Sequence, residues 1–270
     1  MVSLSKVIVT GGNTGIGFAI CKQLAVDRNC HVFLTARSPA KGEAAATEIQ
    51  KLGGSVEFVP LDCTKDESVL AAAETIKSKL QEDSSSLFGV VNNAGIGLNT
   101  GHSGDIMNTN LFGTKRVCEA FLDMMDPEKG RIVNIGSGSG PMHVGGCSRE
   151  DQKVLCDPST VTWDWIENHS KGSGDYGKSK ALVACYTGLF AREHPNIMTS
   201  CVSPGFINTQ MTEGWGASKS PEDGTVSIMT CLFDELKGNG YYYGSDGLRS
   251  PYHFLRNPGE PEYDGVNPFN

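Results

Sequence analysis

Two side chains with complementary acid–base properties stand four positions apart in the sequence Y-G-K-S-K, residues 176–180. On a helix, Tyr176 and Lys180 would therefore share one face. A phenol titrates near ~10 and exchanges protons poorly at neutral pH, but a neighbouring ammonium lowers its pKa. The pair is thus a candidate for general acid–base chemistry. The same spacing also occurs on solvated helices that have no catalytic role.

A glycine-rich turn, T-G-G-N-T-G-I-G at residues 10–17, joins a strand-like run to a helix-like run. Glycines at this place let the backbone approach a pyrophosphate, and the following helix N-terminus offers unpaired N–H donors. The spacing of Gly11, Gly15 and Gly17 is G-x-x-x-G-x-G, not the commoner G-x-G-x-x-G. The turn predicts dinucleotide binding, and a tight turn without a ligand is the alternative interpretation.

Arg37 closes the second predicted strand, twenty positions after Gly17. A dinucleotide-binding fold contacts the adenosine ribose here, where an acid favours NAD and an arginine accommodates the 2′-phosphate of NADP. The sequence T-A-R at 35–37 has no acid, and Lys41 follows one helical turn later. These residues predict NADP(H) as the cofactor. A solvated arginine at a strand end is the alternative.

Small and polar residues follow the next two predicted strands. Asp62 and Cys63 come after the third strand, and Asn93, Ala94 and Gly95 come after the fourth. Ligands of a doubly wound sheet lie over the carboxyl ends of its strands, so these residues are candidate cofactor contacts. Each of them would also suit a plain turn.

Short apolar runs that alternate with amphipathic runs must position these residues. The predicted strands are residues 7–10, 31–36, 56–61, 87–92, 131–135, 197–202 and 241–243, and the predicted helices are 15–27, 39–52, 66–81, 104–125, 176–193 and 221–233. Nearly continuous apolar strands separated by helices predict an α/β fold. Its core would be a single doubly wound, Rossmann-type parallel sheet with helices on both faces.

The regular alternation stops after Ser139. Gly140 to Gly174 is predicted to be an irregular insertion before the helix that carries Tyr176, and the tail 244–270 also lacks a clear period. No linker is long enough to divide the chain, so residues 1–270 are expected to form one domain.

The composition argues against several classes of partner and site. A net charge of −8 disfavours nucleic acid and anionic membrane surfaces, and no apolar run is long enough to span a bilayer. Nine cysteines, an odd number without a C-x-x-C pair, suggest neither a zinc site nor a disulfide framework. We therefore expect no metal. Scattered thiols and the lack of a signal-peptide pattern predict a cytoplasmic protein.

Together, the motifs resemble those of the short-chain dehydrogenase/reductase family, and within it the long branch that includes monomeric carbonyl reductases. The matching motifs follow the family's order: T-G-G-N-T-G-I-G (10–17), L-T-A-R (34–37), L-D (61–62), N-N-A-G (92–95), T-N-L-F-G-T (109–114), R-I-V-N-I-G-S (131–137), Y-G-K-S-K (176–180) and S-P-G-F-I-N-T (203–209). The resemblance implies the doubly wound fold and hydride chemistry on a nicotinamide cofactor.

The resemblance also implies a role for each of four catalytic residues. Tyr176 would protonate the substrate carbonyl oxygen, and Ser137 would orient that carbonyl. Lys180 would hold the nicotinamide ribose and lower the tyrosine pKa. The backbone carbonyl of Asn110 would hold a water that links Lys180 to solvent. The alternative interpretations are a serine in a strand-end turn and an asparagine that bends its helix.

The cofactor site that the resemblance implies is extensive. Its members are Gly11, Asn13, Thr14, Gly15, Ile16, Gly17, Arg37, Lys41, Asp62, Cys63, Asn93, Ala94, Gly95, Tyr176, Lys180, Pro204, Gly205, Ile207 and Thr209. The stretch from Pro204 to Thr209 resembles the family segment that fixes the nicotinamide amide.

Ser137 and Tyr176 are 39 positions apart, farther than in the compact, oligomeric members of the family. Met142 in the insertion and Trp215 in the loop after Thr209 are candidate substrate contacts, because that loop covers the substrate in the family. The alternative for the insertion's aromatic residues is that they anchor it to the core. An insertion here would cover the helix face that oligomeric members share, so we expect a monomer. The alternative is that the insertion projects over the pocket and leaves that helix face free.

The expected function is NADPH-dependent reduction of a ketone, aldehyde or quinone carbonyl on a small-molecule substrate. An NADP-dependent secondary-alcohol dehydrogenase would use the same residues in the opposite direction. A catalytically silent NADP(H)-binding redox sensor is the third interpretation, although such proteins usually lose the tyrosine or the lysine. The sequence leaves the substrate itself open, because loops determine it.

Overall fold

Seven parallel strands form one sheet in the computed structural model, which describes residues 4–82, 84–97, 102–172 and 176–269. The strands are β1 (Lys6–Val9), β2 (His31–Ala36), β3 (Ser55–Pro60), β4 (Leu87–Asn92), β5 (Arg131–Ile135), β6 (Met198–Val202) and β7 (Tyr242–Tyr243). Their order is β3-β2-β1-β4-β5-β6-β7, so the chain winds outward from β1 in both directions. The predicted doubly wound sheet is confirmed.

Helices cover both faces of this sheet. They are α1 (Gly15–Lys22), α2 (Pro39–Lys51), α3 (Asp66–Glu82), α4 (Ser103–Met107), α5 (Gly113–Phe121), α6 (Ser139–Gly145), α7 (Arg149–Leu155), α8 (Trp163–Ser170), α9 (Tyr176–Glu193) and α10 (Val226–Phe233). One apolar core lies under α3, α5 and α9, and a second lies under α1, α2 and α10. Burial on both faces explains why the strands read as continuous apolar runs.

The predicted helix over residues 104–125 is not continuous. A π-helical turn, Asn108–Phe112, separates α4 from α5, and a 3₁₀ turn, Leu122–Met124, ends the stretch. A π turn interrupts the regular i→i−4 bonding and bends the helix. Asn110 lies at the centre of the π-helical turn. The spacing of apolar residues in the sequence does not predict such a turn.

The prediction of an irregular insertion from Gly140 to Gly174 is wrong for most of its length. Helices α6, α7 and α8 lie there, although Gly174 itself falls outside the described residues. Each has seven or eight residues, too short for an isolated helix to be stable or for a period to stand out. Ser148 and Thr162 cap α7 and α8 by accepting backbone N–H bonds. The tail 244–269 has no named helix or strand, as predicted.

The insertion packs on the outward side of α9. Trp163 lies edge-on against the ring of Tyr186, with 5.8 Å between centroids. Arg192 donates a hydrogen bond to the carbonyl oxygen of Val161 at 2.7 Å. As a result, residues 179–191 of α9 are all buried, and the helix that begins at Tyr176 is held from both sides.

Candidate active site

The carboxyl ends of six strands open on one cavity of about 950 Å³, which is large for a ligand pocket. Every residue predicted to contact the cofactor lines this cavity except Lys41, which is exposed in the first turn of α2. Ser137, Met142 and Trp215 also line it. The structure therefore brings together nearly all of the residues that the motifs singled out.

The glycine turn after β1 has the shape that a dinucleotide pyrophosphate requires. Gly11 and Gly15 have positive φ angles of 65° and 55°, which favour glycine. A Cβ on Gly17 would lie only 2.2 Å from the Gly11 carbonyl oxygen. Thr14, the N-cap of α1, makes no side-chain capping bond. The first-turn N–H groups of α1 therefore remain suited to an anionic acceptor.

The segment after β4 holds this turn in place. Asn93 Nδ2 donates to the carbonyl oxygens of Thr10 and Gly11 at 2.9 and 3.2 Å. The Ala94 N–H donates to Thr10 Oγ1 at 3.0 Å. Asp62, after β3, accepts the N–H and hydroxyl of the residue two positions on. The turn interpretation of these residues thus holds locally, and the same residues line the cavity.

Arg37 lies exposed at the end of β2, on the same cavity wall as Asp62 and Cys63. A guanidinium at this strand end suits the 2′-phosphate of NADP through its planar fork of donors. Lys41 was predicted to assist, but its side chain does not reach the cavity wall. Together with the glycine turn, Arg37 fits NADP(H).

Three catalytic candidates converge where β5 ends and α9 begins. Ser137 and Tyr176 both line the cavity at this point. Lys180 Nζ lies 5.6 Å from the centroid of the Tyr176 ring and donates to the Ile135 carbonyl oxygen at 2.6 Å. A phenol, an alcohol and an ammonium group therefore meet at one end of the sheet.

Burial has the largest influence on the acid–base state of the pair. It raises the pKa of Tyr176, and hydrogen bonding from Ser137 opposes that rise. Lys180 is itself buried, which lowers its own pKa to about 8. The phenol therefore carries its proton at neutral pH, and the expectation that Lys180 lowers the tyrosine pKa stays a prediction.

Asn110 is buried behind the cavity wall, where its side chain is fully used. Oδ1 accepts the Ile96 N–H at 2.9 Å, and Nδ2 donates to the Ile96 carbonyl at 3.1 Å and to Ser179 Oγ at 2.9 Å. The backbone carbonyl of Asn110 accepts the Thr114 hydroxyl at 2.7 Å. The water-binding role that the resemblance implies for this carbonyl stays a prediction.

An apolar rim surrounds the remaining side of the cavity. Met142 is 63% exposed, and Phe206 and Trp215 are each 51% exposed, and all three line the cavity. Met211 also lines it and packs over Gly97, where a Cβ would lie 2.9 Å from Met211 Cγ. Large apolar side chains left exposed around a concavity favour an apolar ligand.

Comparison with known proteins identifies the family. The family model described as short chain dehydrogenase matches residues 5–149, more than half of the chain. The chain belongs to the short-chain dehydrogenase family. This short-chain dehydrogenase is 32% identical over 246 residues to carbonyl reductase (NADPH) 1 of Pongo abelii, covering 80% of this chain and 86% of that protein. It is 34% identical over 255 residues to carbonyl reductase (NADPH) 3 of Mus musculus, covering 83% and 89%.

Solved structures show the same likeness. Salutaridine reductase from Papaver somniferum superposes with a TM-score of 0.77 at 25% identity, covering 88% of this chain and 99% of that one. An NADPH-bound carbonyl reductase from chicken fatty liver superposes with a TM-score of 0.66 at 25% identity, covering 93% and 100%. The similarity extends well beyond residue 149, into the half that carries Tyr176.

Sequence reasoning missed part of the rim of this short-chain dehydrogenase. Phe206 and Met211 were not proposed as site residues, although both lie in the loop that follows β6, next to predicted contacts. Their place beside Gly205 and Thr209 was the available signal. The insertion's tryptophans lie outside the cavity lining, and Trp165 stacks on a neighbouring histidine 3.6 Å away. These contacts agree with the interpretation that Trp163 and Trp165 anchor the insertion to the rest of the protein.

Several other features can be stated for the described part of the chain. No group of three or more His, Cys, Asp or Glu side chains there could hold a metal ion. No helix there is long and apolar enough to cross a membrane. All nine cysteines are free thiols.

Proposed function

We propose that this short-chain dehydrogenase is an NADPH-dependent carbonyl reductase that converts a ketone, aldehyde or quinone carbonyl to a hydroxyl, with Tyr176 as the proton donor. It is an NADP-dependent oxidoreductase, and NADP(H) is its cofactor. Two curated relatives that it resembles over most of its length are named carbonyl reductase (NADPH). Arg37 at the end of β2 supports the same cofactor.

The observation that carries this proposal is that Ser137, Tyr176 and Lys180 line the same cavity. Reduction of a carbonyl develops negative charge on a single oxygen. Two hydroxyl donors fixed beside each other can meet that oxygen together, and preorganised donors are a large term in catalysis. Lys180 lies behind them with its charge close to the phenol ring.

The residues divide the binding of NADP(H) among them. The glycine turn would hold the pyrophosphate, Arg37 the 2′-phosphate, Lys180 and Tyr176 the nicotinamide ribose, and the segment 204–209 the nicotinamide amide. When bound, the cofactor supplies the hydride. The protein has to orient the two reactants and deliver the proton.

Proton delivery follows from the state of the phenol. Tyr176 gives its proton to the carbonyl oxygen while carbon gains the hydride, so the C=O π bond is replaced by one C–H and one O–H bond. Ser137 donates a hydrogen bond to the same oxygen and orients it. Lys180, charged below about pH 8, stabilises the phenolate that remains until a proton returns.

The reductive direction is favoured over the oxidative one. Two relatives that cover most of the chain are named carbonyl reductase (NADPH), which supports reduction, whereas a secondary-alcohol dehydrogenase would use the same residues in the opposite direction. The silent-sensor alternative is disfavoured, because Asn110, Ser137, Tyr176 and Lys180 are all present.

A screen of NADPH oxidation over a panel of ketones, aldehydes and quinones tests the proposal at pH 7. The matched secondary alcohols with NADP⁺ provide the reverse reaction. We expect faster turnover in the reductive direction for the best substrate. Faster alcohol oxidation would favour the dehydrogenase, and tight NADPH binding without any turnover would favour the sensor.

We also propose that the protein is a monomer of the cytoplasm. Helices of the insertion pack on α9, and residues 179–191 of that helix are already buried within one chain. Sedimentation equilibrium at micromolar concentration should give the chain mass of 28.8 kDa. A stable species of twice that mass would contradict the monomer. Free thiols at all nine cysteines suit a reducing compartment.

A further inference from the structure

Ser179 lies between two of the residues assigned to catalysis. Its Oγ accepts a hydrogen bond from Asn110 Nδ2 at 2.9 Å and donates one to the Tyr176 carbonyl oxygen at 2.8 Å. Ser179 is 0% exposed and Asn110 is 1% exposed. One hydroxyl therefore ties the π-helical turn between α4 and α5 to the first turn of α9.

The hydrogen-bonding groups of the Asn110 side-chain amide all have partners. Both N–H groups of the Asn110 amide are used, one by the Ile96 carbonyl and one by Ser179, and its oxygen accepts the Ile96 N–H. Water has no access to replace a lost partner, because both side chains are buried. A buried N–H group that loses its acceptor carries a large penalty or moves to find another. Removing the Ser179 hydroxyl should therefore shift Asn110.

The position of Ser179 explains what such a shift would change. Tyr176 lies in the first described turn of α9, and its carbonyl oxygen accepts the Ser179 hydroxyl. The bond from Ser179 fastens this first turn, from which the phenol projects. Lys180 is the next residue along the same helix. A shift of Ser179 would therefore displace both Tyr176, the proposed proton donor, and Lys180.

We propose that Ser179 is a positioning residue for proton transfer, acting through the Asn110 side chain and the Tyr176 backbone. This inference rests on the proposed reductase function, in which Tyr176 is the acid. Ser179 does not line the cavity, so it would touch neither substrate nor cofactor. Its effect should fall on kcat and not on cofactor affinity.

The same helix supplies a matched control. Thr187 is 0% exposed; its hydroxyl donates to the Val183 carbonyl at 2.8 Å and accepts from Asn134 Nδ2 at 3.0 Å. This is the same kind of bond, a buried hydroxyl between an asparagine amide and a helix carbonyl. Thr187 lies two turns further along α9 and does not line the cavity. Thr187→Val therefore removes an equivalent bond away from the site.

The experiment compares Ser179→Ala, Thr187→Val, Asn110→Ala and the double variant Ser179→Ala/Asn110→Ala. We expect Ser179→Ala to lower kcat about tenfold, the scale of a small misplacement of a reacting group. Its dissociation constant for NADPH, measured by fluorescence without substrate, should stay within about twofold of the wild-type value. Thr187→Val should lower the melting temperature about as much as Ser179→Ala does, and it should leave kcat unchanged.

The double variant separates positioning from general destabilisation. If Ser179 acts in part through Asn110, the loss of kcat in the double variant should be clearly smaller than the product of the two single losses, because both single changes break the Asn110–Ser179 bond. Independent, multiplying losses would overturn the proposal, as would a kcat of Ser179→Ala equal to that of Thr187→Val. If Ser179→Ala does not fold, Ser179→Cys takes its place. For it a loss of about threefold or more in kcat at unchanged NADPH affinity is expected, and full kcat would overturn the proposal.

Failure of this inference can be told apart from failure of the proposed function. A wild-type protein that binds NADPH but reduces no carbonyl would reject the reductase, whatever the variants do. A wild type that reduces carbonyls, with Ser179→Ala equally active, would reject only the role of Ser179.

Discussion

The cofactor side and the inserted segment of this protein are held together by different kinds of contact. Strands β1 to β5 are joined by parallel backbone ladders, such as the register of Val7 with Val32, and all four residues of β1 are buried. The insertion consists of helices of seven or eight residues that are fixed by individual side chains, Trp163 and Arg192 among them.

The difference shows how binding and specificity are separated in this fold. Residues at strand ends have their places determined by the sheet, so Arg37 and Ser137 occupy positions that backbone geometry dictates. Met142 and Trp215 lie on the insertion and on a loop, where side-chain anchors decide the arrangement. Changes on the first side should alter chemistry or cofactor choice, whereas changes on the second should alter stability or substrate affinity.

The strongest test of the sheet-bound side is Tyr176→Phe. This variant removes the proposed proton donor and keeps the ring, so kcat should fall by about a hundredfold or more, the range for loss of general acid catalysis. NADPH affinity should fall by no more than about tenfold, the scale of one lost ribose hydrogen bond, since the glycine turn and Arg37 are unchanged. Steady-state kinetics and a fluorescence titration measure the two quantities. Near-normal turnover would mean that another group, such as Ser137, supplies the proton.

The cofactor preference provides the next largest effect. Arg37→Asp should weaken NADPH binding by about ten- to a hundredfold, because a charge-assisted contact to phosphate is worth about 1.5–3 kcal/mol. NADH binding should not weaken in the same way. Lys41→Asp is the control, because Lys41 lies outside the cavity lining. A loss in Lys41→Asp as large as that in Arg37→Asp would show that net charge alone governs binding.

Much of this arrangement could be predicted from the sequence, and the reason differs by region. Strands at 31–36, 87–92 and 131–135 match the prediction at both ends, since buried parallel strands are continuous apolar runs bounded by polar or small residues. The residues at their carboxyl ends follow from the topology. The residues predicted to contact the cofactor therefore line one cavity, with the exception of Lys41.

Other features depend on tertiary contacts that no local pattern encodes. Within the π turn, the Asn110 amide is bound by Ile96 and Ser179, which lie far from it in sequence. The direction of the Tyr176 pKa shift depends on burial, whereas spacing on a helix reveals only the nearby lysine. Helix α8 is held by the contact of Trp163 with Tyr186 of α9, and Arg192 of α9 donates to the Val161 carbonyl just before it.

A pH profile tests the electrostatic part of the site. Lys180 is charged below its pKa of about 8 and neutral above it, so its support for the phenolate is lost as pH rises. We expect kcat/KM for carbonyl reduction to be level from pH 6 to 7.5 and about tenfold lower one to two units above pH 8. Lys178→Gln should keep the profile, because Lys178 Nζ donates instead to the Lys171 carbonyl at 3.0 Å. A profile that stays level to pH 10 would contradict the assignment.

Substitutions of Trp163 and Trp215, which both lie outside the sheet, should have the smallest effects on turnover. The first should affect stability and the second substrate affinity. Trp163 is half-buried against Tyr186, so Trp163→Ala should lower the free energy of unfolding by about 2 kcal/mol, below the value for a fully buried tryptophan. Its kcat and NADPH affinity should change by less than about twofold. Trp163→Ala thus tests the anchoring of the insertion.

Trp215 is 51% exposed on the cavity rim. Trp215→Ala should therefore leave the unfolding free energy within about 0.5 kcal/mol of the wild-type value. It should raise KM for a bulky carbonyl substrate by about three- to tenfold. Urea denaturation and steady-state kinetics on both variants measure the four quantities. If Trp163→Ala raised KM at unchanged stability, the insertion would belong to the substrate site, and the contrast between anchoring and binding tryptophans would be wrong.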